Sequence, residues 1–436
     1  HYISIHIQKN VFASPVFISV AMLFLLSFIF SSRVNAFILS RSNDIINSLK
    51  GKLSSNQEGF KVRGFLMATQ LSFSIIMIAL IVIIVEQFRF INSTDKGFED
   101  KNTVVIKIRD DNFSGTEAFE ESIRKLSGVT KVDGSSFYLD NVETKDLFEI
   151  ETKQGTIKRL TTYMNCGYDY LDVLDIELIK GRNFDKDRTT DDGGAYIINE
   201  TAAKEFGWKD PVGEIIRGPL NTDRDEGEVI GVVNDFHFAS LHSKIEPLII
   251  FLVNESWGIR YVYLKFNTDN PGQLITQIED EYKKIYGDLP FEWEYLDLKY
   301  QSLYREDYEI RNVFQVGLIV SILISCLGIF SISALLVILR EKEMGIRKVI
   351  GATPWQLFYL HMRTFAKFLI IAIAIGWPAT WYLSQQWLDN FAYHINLNPW
   401  YFIVPALITL LIVLITSGYH GIKSSRVNPV DILKHE

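Results

Sequence analysis

Five stretches without Asp, Glu, Lys or Arg interrupt the mixed pattern of this chain, at residues 14–32, 64–85, 312–339, 368–385 and 401–417. A helix needs about 20 apolar residues to cross roughly 30 Å of hydrocarbon, so each stretch predicts a membrane span. Trp377, Trp381, Trp387, Trp400 and Tyr401 gather where an interfacial aromatic belt lies. Between the second and third stretches the pattern changes to short alternating and amphipathic segments. Thr103 to Ile108 alternates as a strand, Thr116 to Leu126 places Phe119, Ile123 and Leu126 on one helical face, and Val129 to Val132 returns to strand. A second βαβ-like unit follows at Tyr261 to Phe266, Pro271 to Tyr286 and Phe291 to Tyr295. From about 148 to 253 lie β-rich segments broken by Gly and Asp turns, including Ala195 to Asn199 and Glu228 to Asn234, which predict an inserted β-rich subdomain. The pattern Leu298, Leu303, Tyr304, Tyr308, Ile310, Val313 predicts one helix from near Asp297 to Leu339. About 42 residues at 1.5 Å each extend about 60 Å, so its outer half forms a stalk.

Composition alone hides this mosaic, since 48% hydrophobic and 22% charged residues resemble a soluble protein. Charge in the connections sets the topology, because short Lys- and Arg-rich loops stay in the cytoplasm. Residues 33–63 carry six basic and two acidic side chains, 340–367 again six and two, and the tail from 418 three and two. The segment 86–311 carries 28 basic and 45 acidic residues, net −17, and is placed outside. The fold class is therefore an α/β membrane protein: five transmembrane helices and one large mixed α/β external domain on helical stalks, with the C-terminus in the cytoplasm. The divisions are 1–63 (a span at about 14–32 and a cytoplasmic linker), 64–87 (a span), 88–297 (the external domain) and 298–436 (stalk, spans at about 312–339, 366–387 and 401–418, and tail). Cys166 and Cys326, the two cysteines, are placed apart and read as free thiols. Ile5-His-Ile-Gln8, a Pro15-containing span and Ser40-Arg-Ser-Asn43 echo Tyr393-His-Ile-Asn396, a Pro405-containing span and Ser425-Arg-Val-Asn428. With no initiating methionine, this repeat predicts that the chain is part of a longer one whose earlier half ends within the first fifty residues.

The candidate chemistry is concentrated between the third and fourth spans, in Arg340-Glu-Lys-Glu-Met-Gly-Ile-Arg-Lys-Val-Ile-Gly-Ala-Thr-Pro-Trp-Gln-Leu357. Gly345 and Gly351 permit tight turns, and Ile346 to Ile350 mixes apolar and basic side chains like an interfacial helix. Thr353 as N-cap, Pro354 at the first helical position and Gln356 completing a capping box predict a helix running from here into the membrane. Glu341 and Glu343 interrupt the basic run, which suits salt bridges to a protein surface better than binding to acidic lipid. Asp235, His237 and His242 carry side chains of the metal-ligand and hydrolytic kind, but their spacing fits no standard zinc site. Asp223 to Glu228 lacks the EF-hand pattern, and Gln70, Ser72 and Ser74 read as helix-packing residues. No basic stripe with interleaved aromatics points to nucleic acid.

On Arg340, Glu341, Glu343, Gly345, Ile346, Arg347, Lys348, Gly351 and Ala352 the chain resembles the FtsX-like permease family, whose motif has the form R-E-x-E-I-G-I-R-K-A-L-G-A; Met344, Val349 and Ile350 depart conservatively. The external domain is similar to the periplasmic core of the MacB branch of ATP-binding-cassette transporters. The phrases that carry this are Gly181-Arg-Asn-Phe184, Ile198-Asn-Glu-Thr-Ala202 with Asp210-Pro-Val-Gly213, and Val229 to His237 with Ser240-Leu-His242. Asn428 to Leu433 resembles the usual C-terminus, and the style is that of a Bacteroidetes-type permease with two halves in one chain. The resemblance implies a non-catalytic, multi-pass permease of the bacterial inner membrane with its large domain in the periplasm. It further implies a cytoplasmic ATPase dimer that pushes on residues 341–352 and stalks that move the periplasmic domain. No G-x-x-x-x-G-K-[ST] loop occurs, so ATP and Mg are expected on a separate subunit and no cofactor on this chain. The other implied partners are a second permease half, in the same longer chain or as a dimer mate, membrane lipid, and a periplasmic adaptor. Efflux or export of peptides, lipoproteins or similar cargo is the leading expectation. A complex regulating cell-wall hydrolases or signalling is the alternative, and a membrane-anchored periplasmic enzyme the less favoured one.

Overall fold

The computed structural model describes residues 57–425 except 111–112, 114, 140–141, 143, 153–154, 219–225 and 254–257. The apolar run at 14–32, the first half of the repeat and the Asn428 to Leu433 ending lie outside the described residues. So does the first half of the acidic run at 223–228. The chain divides into a helical unit, made of residues up to Asn92, Glu306–Asn390 and those from His394, and a sheet unit, made of Ser93–Arg305 and Phe391–Tyr393.

The helical unit contains the long helices α1 (Gln57–Ser93), α7 (Arg305–Leu339), α9 (Pro354–Leu388) and α10 (Trp400–Ser425), with the short α8 (Glu341–Val349) between α7 and α9. Among the described residues these four long helices are apolar enough to cross a membrane, where the sequence predicted five spans along the whole chain. Met67, Leu71 and Ile75, one helical turn apart on α1, pack with Ile329 and Leu336 of α7, Phe365, Leu369 and Ala372 of α9, and Val413 of α10. Ser74 bridges to Ser321 at 2.9 Å and Ser325 at 2.7 Å, and the absent side chain of Gly328 leaves room for the Gln70 amide. Small and hydroxylated side chains thus let helices approach where lipid offers no hydrophobic drive to associate. Ser72 instead returns its hydroxyl to the carbonyl of Ala68 on its own helix.

The predicted helix from Asp297 to Leu339 is interrupted. A short α6 (Leu296–Ser302) ends in a turn at Leu303 and Tyr304, and α7 begins afresh at Arg305. The pattern gave no break because Tyr304 is apolar in the ring yet buried in the sheet unit, where its hydroxyl accepts the Leu241 N–H at 2.9 Å.

Among its described residues the sheet unit holds eleven strands: β1 (Thr103–Lys107), β2 (Val129–Ser135), β3 (Lys145–Thr152), β4 (Gly155–Cys166), β5 (Leu178–Gly181), β6 (Ala195–Asn199), β7 (Ile215–Arg217), β8 (Glu226–Val233), β9 (Leu248–Leu252), β10 (Tyr261–Phe266) and β11 (Glu292–Tyr295). Its first half has the order β11-β1-β10-β2, with α2 (Thr116–Arg124) linking β1 to β2 and α5 (Pro271–Tyr286) linking β10 to β11. Each predicted βαβ unit is therefore split by a strand of the other, and every neighbouring pair is antiparallel. Phe119 and Ile123 of α2 and Leu274, Ile278 and Tyr282 of α5 cover one face of these strands.

The predicted β-rich insert is a closed ring. Thr162 of β4 faces Lys145 of β3 on one side and Leu248 of β9 on the other, so β4-β3-β7-β8-β6-β9 returns to β4. Phe148, Ile150, Tyr163, Tyr196, Ile198, Ile216, Val229, Ile249 and Phe251 form its core. The short helices α3 (Tyr170–Val173) and α4 (Glu200–Glu205) flank it, and β5 lies against β8. Cys166 and Cys326 are both free thiols.

Candidate coupling segment

The segment 340–357 builds a corner from two helix ends. Arg340 occupies the position before α8, and the Met344 N–H reaches its carbonyl at 2.9 Å. Gly345 lies inside α8 and forms no turn; Glu, Lys, Met and Arg around it favour helix enough to carry one glycine. Glu343 pairs with Arg347 one turn later at 2.7 Å, an intrahelical bond that occupies a carboxylate read from sequence as a contact for a protein surface. Nothing is described of the Glu341 side chain.

Gly351 ends α8 with φ +101°, a backbone that glycine adopts freely. Its N–H bonds to the Lys348 carbonyl at 3.1 Å, and the Ala352 N–H to the Arg347 carbonyl at 2.9 Å, the paired bonds of a Schellman ending. Three residues after Gly351, α9 begins. Thr353 Oγ1 accepts the Gln356 N–H at 3.3 Å, Gln356 Oε1 accepts the Thr353 N–H at 2.9 Å, and Pro354 takes the first helical position. Gly351-Ala-Thr-Pro thus encodes a fixed joint with its backbone groups satisfied on both sides. Ile346, Val349, Ile350 and Trp355 are exposed on it, beside the exposed guanidinium of Arg347, while Met344 and Leu357 turn inward.

The phrases in the sheet unit also have local causes. Gly181 has φ +74°, and a Cβ there would stand 2.1 Å from the Ile230 carbonyl oxygen. Arg182 grips Asp191 with two bonds of 2.5 and 2.7 Å and holds its carboxyl below the ordinary range. Asn199 caps α4 through the Ala202 N–H at 2.9 Å and also accepts the Leu248 N–H at 2.9 Å.

The side chains of Asp235, His237 and His242 are occupied otherwise than in a metal or hydrolytic cluster. Asp235 accepts the N–H and hydroxyl of Thr201 at 2.9 and 2.7 Å, His237 meets the ring of Tyr393 edge-on at 4.9 Å, and His242 stacks on Phe391 at 4.1 Å. Among the described residues no group of three or more His, Cys, Asp or Glu is arranged to hold a metal ion. Burial holds His237 below the usual histidine range, against the pull of Asp235 and Asp95. The role of Phe391 and Tyr393 was not read from sequence, where they lay in a short connection between spans.

Comparison with known families agrees with both parts of the chain. Residues 65–281 match the MacB-like periplasmic core domain, and residues 316–429 match the FtsX-like permease C-terminal family. The chain is an FtsX/MacB-type permease. Proteins of this family are membrane components of ABC transporters. The permease is similar to the crystal structure of the periplasmic region of MacB from Actinobacillus actinomycetemcomitans, at 17% identity and a TM-score of 0.36, over 49% of this chain and 97% of that one. It is also similar to the extracellular domain of the noncanonic ABC-type transporter YknZ from Gram-positive bacteria, at 16% identity and a TM-score of 0.30, over 44% of this chain and 98% of that one. No curated protein matches it.

Proposed function

We propose that this permease couples ATP hydrolysis by a separate cytoplasmic ATPase dimer to motion of the periplasmic sheet unit, in efflux or export of peptides, lipoproteins or similar cargo. The observation that carries the reading is the α8–α9 joint. A stiff corner between two spans, showing Ile346, Val349, Ile350, Trp355 and Arg347 to solvent, offers a partner protein apolar contact area with a basic rim. The positive-inside count puts this corner and the C-terminus in the cytoplasm, with ATP and Mg on the ATPase subunit. A second permease half, from the same longer chain or a dimer mate, supplies the matching joint.

The local pair makes a clean test available. Reversing Arg347 alone sets a like charge beside Glu343 and weakens α8 by a few tenths of a kcal/mol. The exchange Glu343→Arg with Arg347→Glu keeps the intrahelical pair while inverting the charge offered outward, and Lys348→Glu adds to it. In a permease–ATPase complex isolated from its native membrane, the triple variant is expected to insert normally and to lose permease stimulation of ATP hydrolysis. Full stimulation in that variant would refute the assignment.

A further inference from the structure

Four times the chain crosses between the helical and sheet units, at 92–93, 305–306, 390–391 and 393–394. On the sheet-unit side of all four crossings the same short turn, Asp235–His242, is in contact. After α1, the Lys96 carbonyl accepts the His237 N–H at 2.8 Å, and a Cβ on Gly97 would stand 2.7 Å from the Asp235 oxygen. Before α7, the Tyr300 hydroxyl donates to the Ala239 carbonyl at 3.1 Å and the Tyr304 hydroxyl accepts the Leu241 N–H at 2.9 Å. Between α9 and α10, the N–H groups of Ala392 and Tyr393 donate to the carbonyls of His242 and Leu241, both at 3.2 Å. Phe391 on His242 and Tyr393 on His237 add two ring contacts.

The turn is built to be stiff. Phe236 and Leu241 are fully buried, and Phe238 packs edge-on against Phe236. Its first residue, Asp235, is tied to the ring through both polar groups of Thr201 at the start of α4. A segment that holds every entry point of a domain and is itself bonded to the body of that domain transmits displacement from any of them.

We propose that Asp235–His242 is a transmission hub, which gathers the movements of α1, α7 and the α9–α10 connection and passes them to the ring through the Asp235–Thr201 bonds. The hub rests on the coupling reading above and adds a third route of force, at Phe391–Tyr393, beside the two helices that lead into the sheet unit. Two histidines that look like ligands in the sequence become the seats for its aromatic contacts.

Hydrogen exchange on the permease–ATPase complex, with and without a non-hydrolysable ATP analogue, tests it. In the wild type, peptides covering 93–97, 236–242, 300–305 and 389–394 are expected to change protection together, with 195–206 following. In Tyr393→Ala, the 389–394 peptide is expected to exchange on the order of tenfold faster and to lose its nucleotide response in step with 236–242. In Asp235→Ala, which removes both bonds to Thr201, the crossings still respond and 195–206 does not. Tyr393→Phe, which keeps the ring on His237, is expected to behave as wild type. Independent responses of the four wild-type segments would overturn the hub, and so would an unaltered joint response in Tyr393→Ala and Asp235→Ala. A wild-type complex with no nucleotide response anywhere would instead overturn the coupling reading on which the hub depends.

Discussion

Arg182→Ala isolates one buried charge, and its effect can be worked from the geometry. Asp191 has a side chain 1% exposed, gripped by both terminal nitrogens of Arg182, whose own side chain is 33% exposed. Without the guanidinium the carboxylate keeps the Asp185 N–H at 3.0 Å and the weaker pull of Arg188, and loses its bonded counter-charge. Removing one partner of a fully buried ion pair costs about 3–5 kcal/mol. Water reaching the open flank of Arg182 reduces this to about 2–3 kcal/mol. For a unit of this size each kcal/mol lowers Tm by roughly 2–4 °C, so the sheet unit is expected to unfold about 5–10 °C earlier. Calorimetry of the detergent-solubilised chain reads this, together with Asp191→Ala and the double variant. The double variant is expected to lie well short of the sum of the singles, because it leaves no orphaned charge. The pH dependence adds a second check. The Arg182 bond holds the Asp191 pKa below its unfolded value, so its stabilisation is present above the ordinary carboxylate range and is lost as pH falls through it toward the lower native value. The gap between wild type and Arg182→Ala should narrow on acidification. A Tm change under about 2 °C, or a double variant equal to the sum of the singles, would refute the buried-pair account.

Two further outcomes follow from other sites. Glu120 is 9% exposed with Oε1 unpartnered among the described residues, and burial first, then the neighbouring Asp133, raises its pKa, with Glu117 and Asp169 adding to the effect and Arg124 opposing it. The native state therefore holds a proton that the unfolded chain releases, so stability is full below the ordinary carboxylate range and is lost as pH rises through the raised value. Glu120→Gln is expected to flatten this decline and raise Tm in mildly alkaline buffer, as measured by thermal unfolding across pH 5–8; an unchanged slope would contradict it. Gly351→Ala meets no neighbouring atom but strains a φ of +101°, so a loss of about 1 kcal/mol confined to the α8–α9 joint is expected. Faster hydrogen exchange in 346–356 alone would show it, and unaltered exchange there would count against the joint's dependence on glycine.

What the sequence disclosed follows the range of the interactions involved. The capping box at Thr353 and the αL residue at Gly351 are decided within a few residues, so local pattern suffices to read them. Gly345 misled because glycine marks a turn only where the backbone needs it, and here the flanking helix formers prevail. The strands of the two βαβ-like segments were legible from alternation, while their interleaving depends on pairings such as Val104 with Leu264 that no window contains. The hub was hidden for the same reason. His242 and Phe391 lie 149 positions apart, and without that pairing a histidine beside an aspartate reads as chemistry. The break at Tyr304 was masked by a side chain whose ring fits an apolar stripe and whose hydroxyl serves another element.

The ring has a consequence for how such a protein is assembled over evolutionary time. Its chain departs after Ser135 at the end of β2 and returns before Tyr261 at the start of β10, and these two residues are paired directly across the sheet. Topologically, everything from 136 to 260 occupies the place of a hairpin turn. In strand pairing the ring meets the first half through one register pair, Ser135 with Cys166, flanked by the bonds from Ser136 to Asn165 and from Gly167 to Gly134, and around α3 the Asp169 N–H donates to Asp133 while Tyr170 sets its ring edge-on to Tyr263 at 5.1 Å. Ends that already touch impose little closure entropy, so the length of the segment between them can vary while Ser135 and Tyr261 stay paired. The split α/β half keeps its own core, so a change of length inside the ring leaves that core as it is.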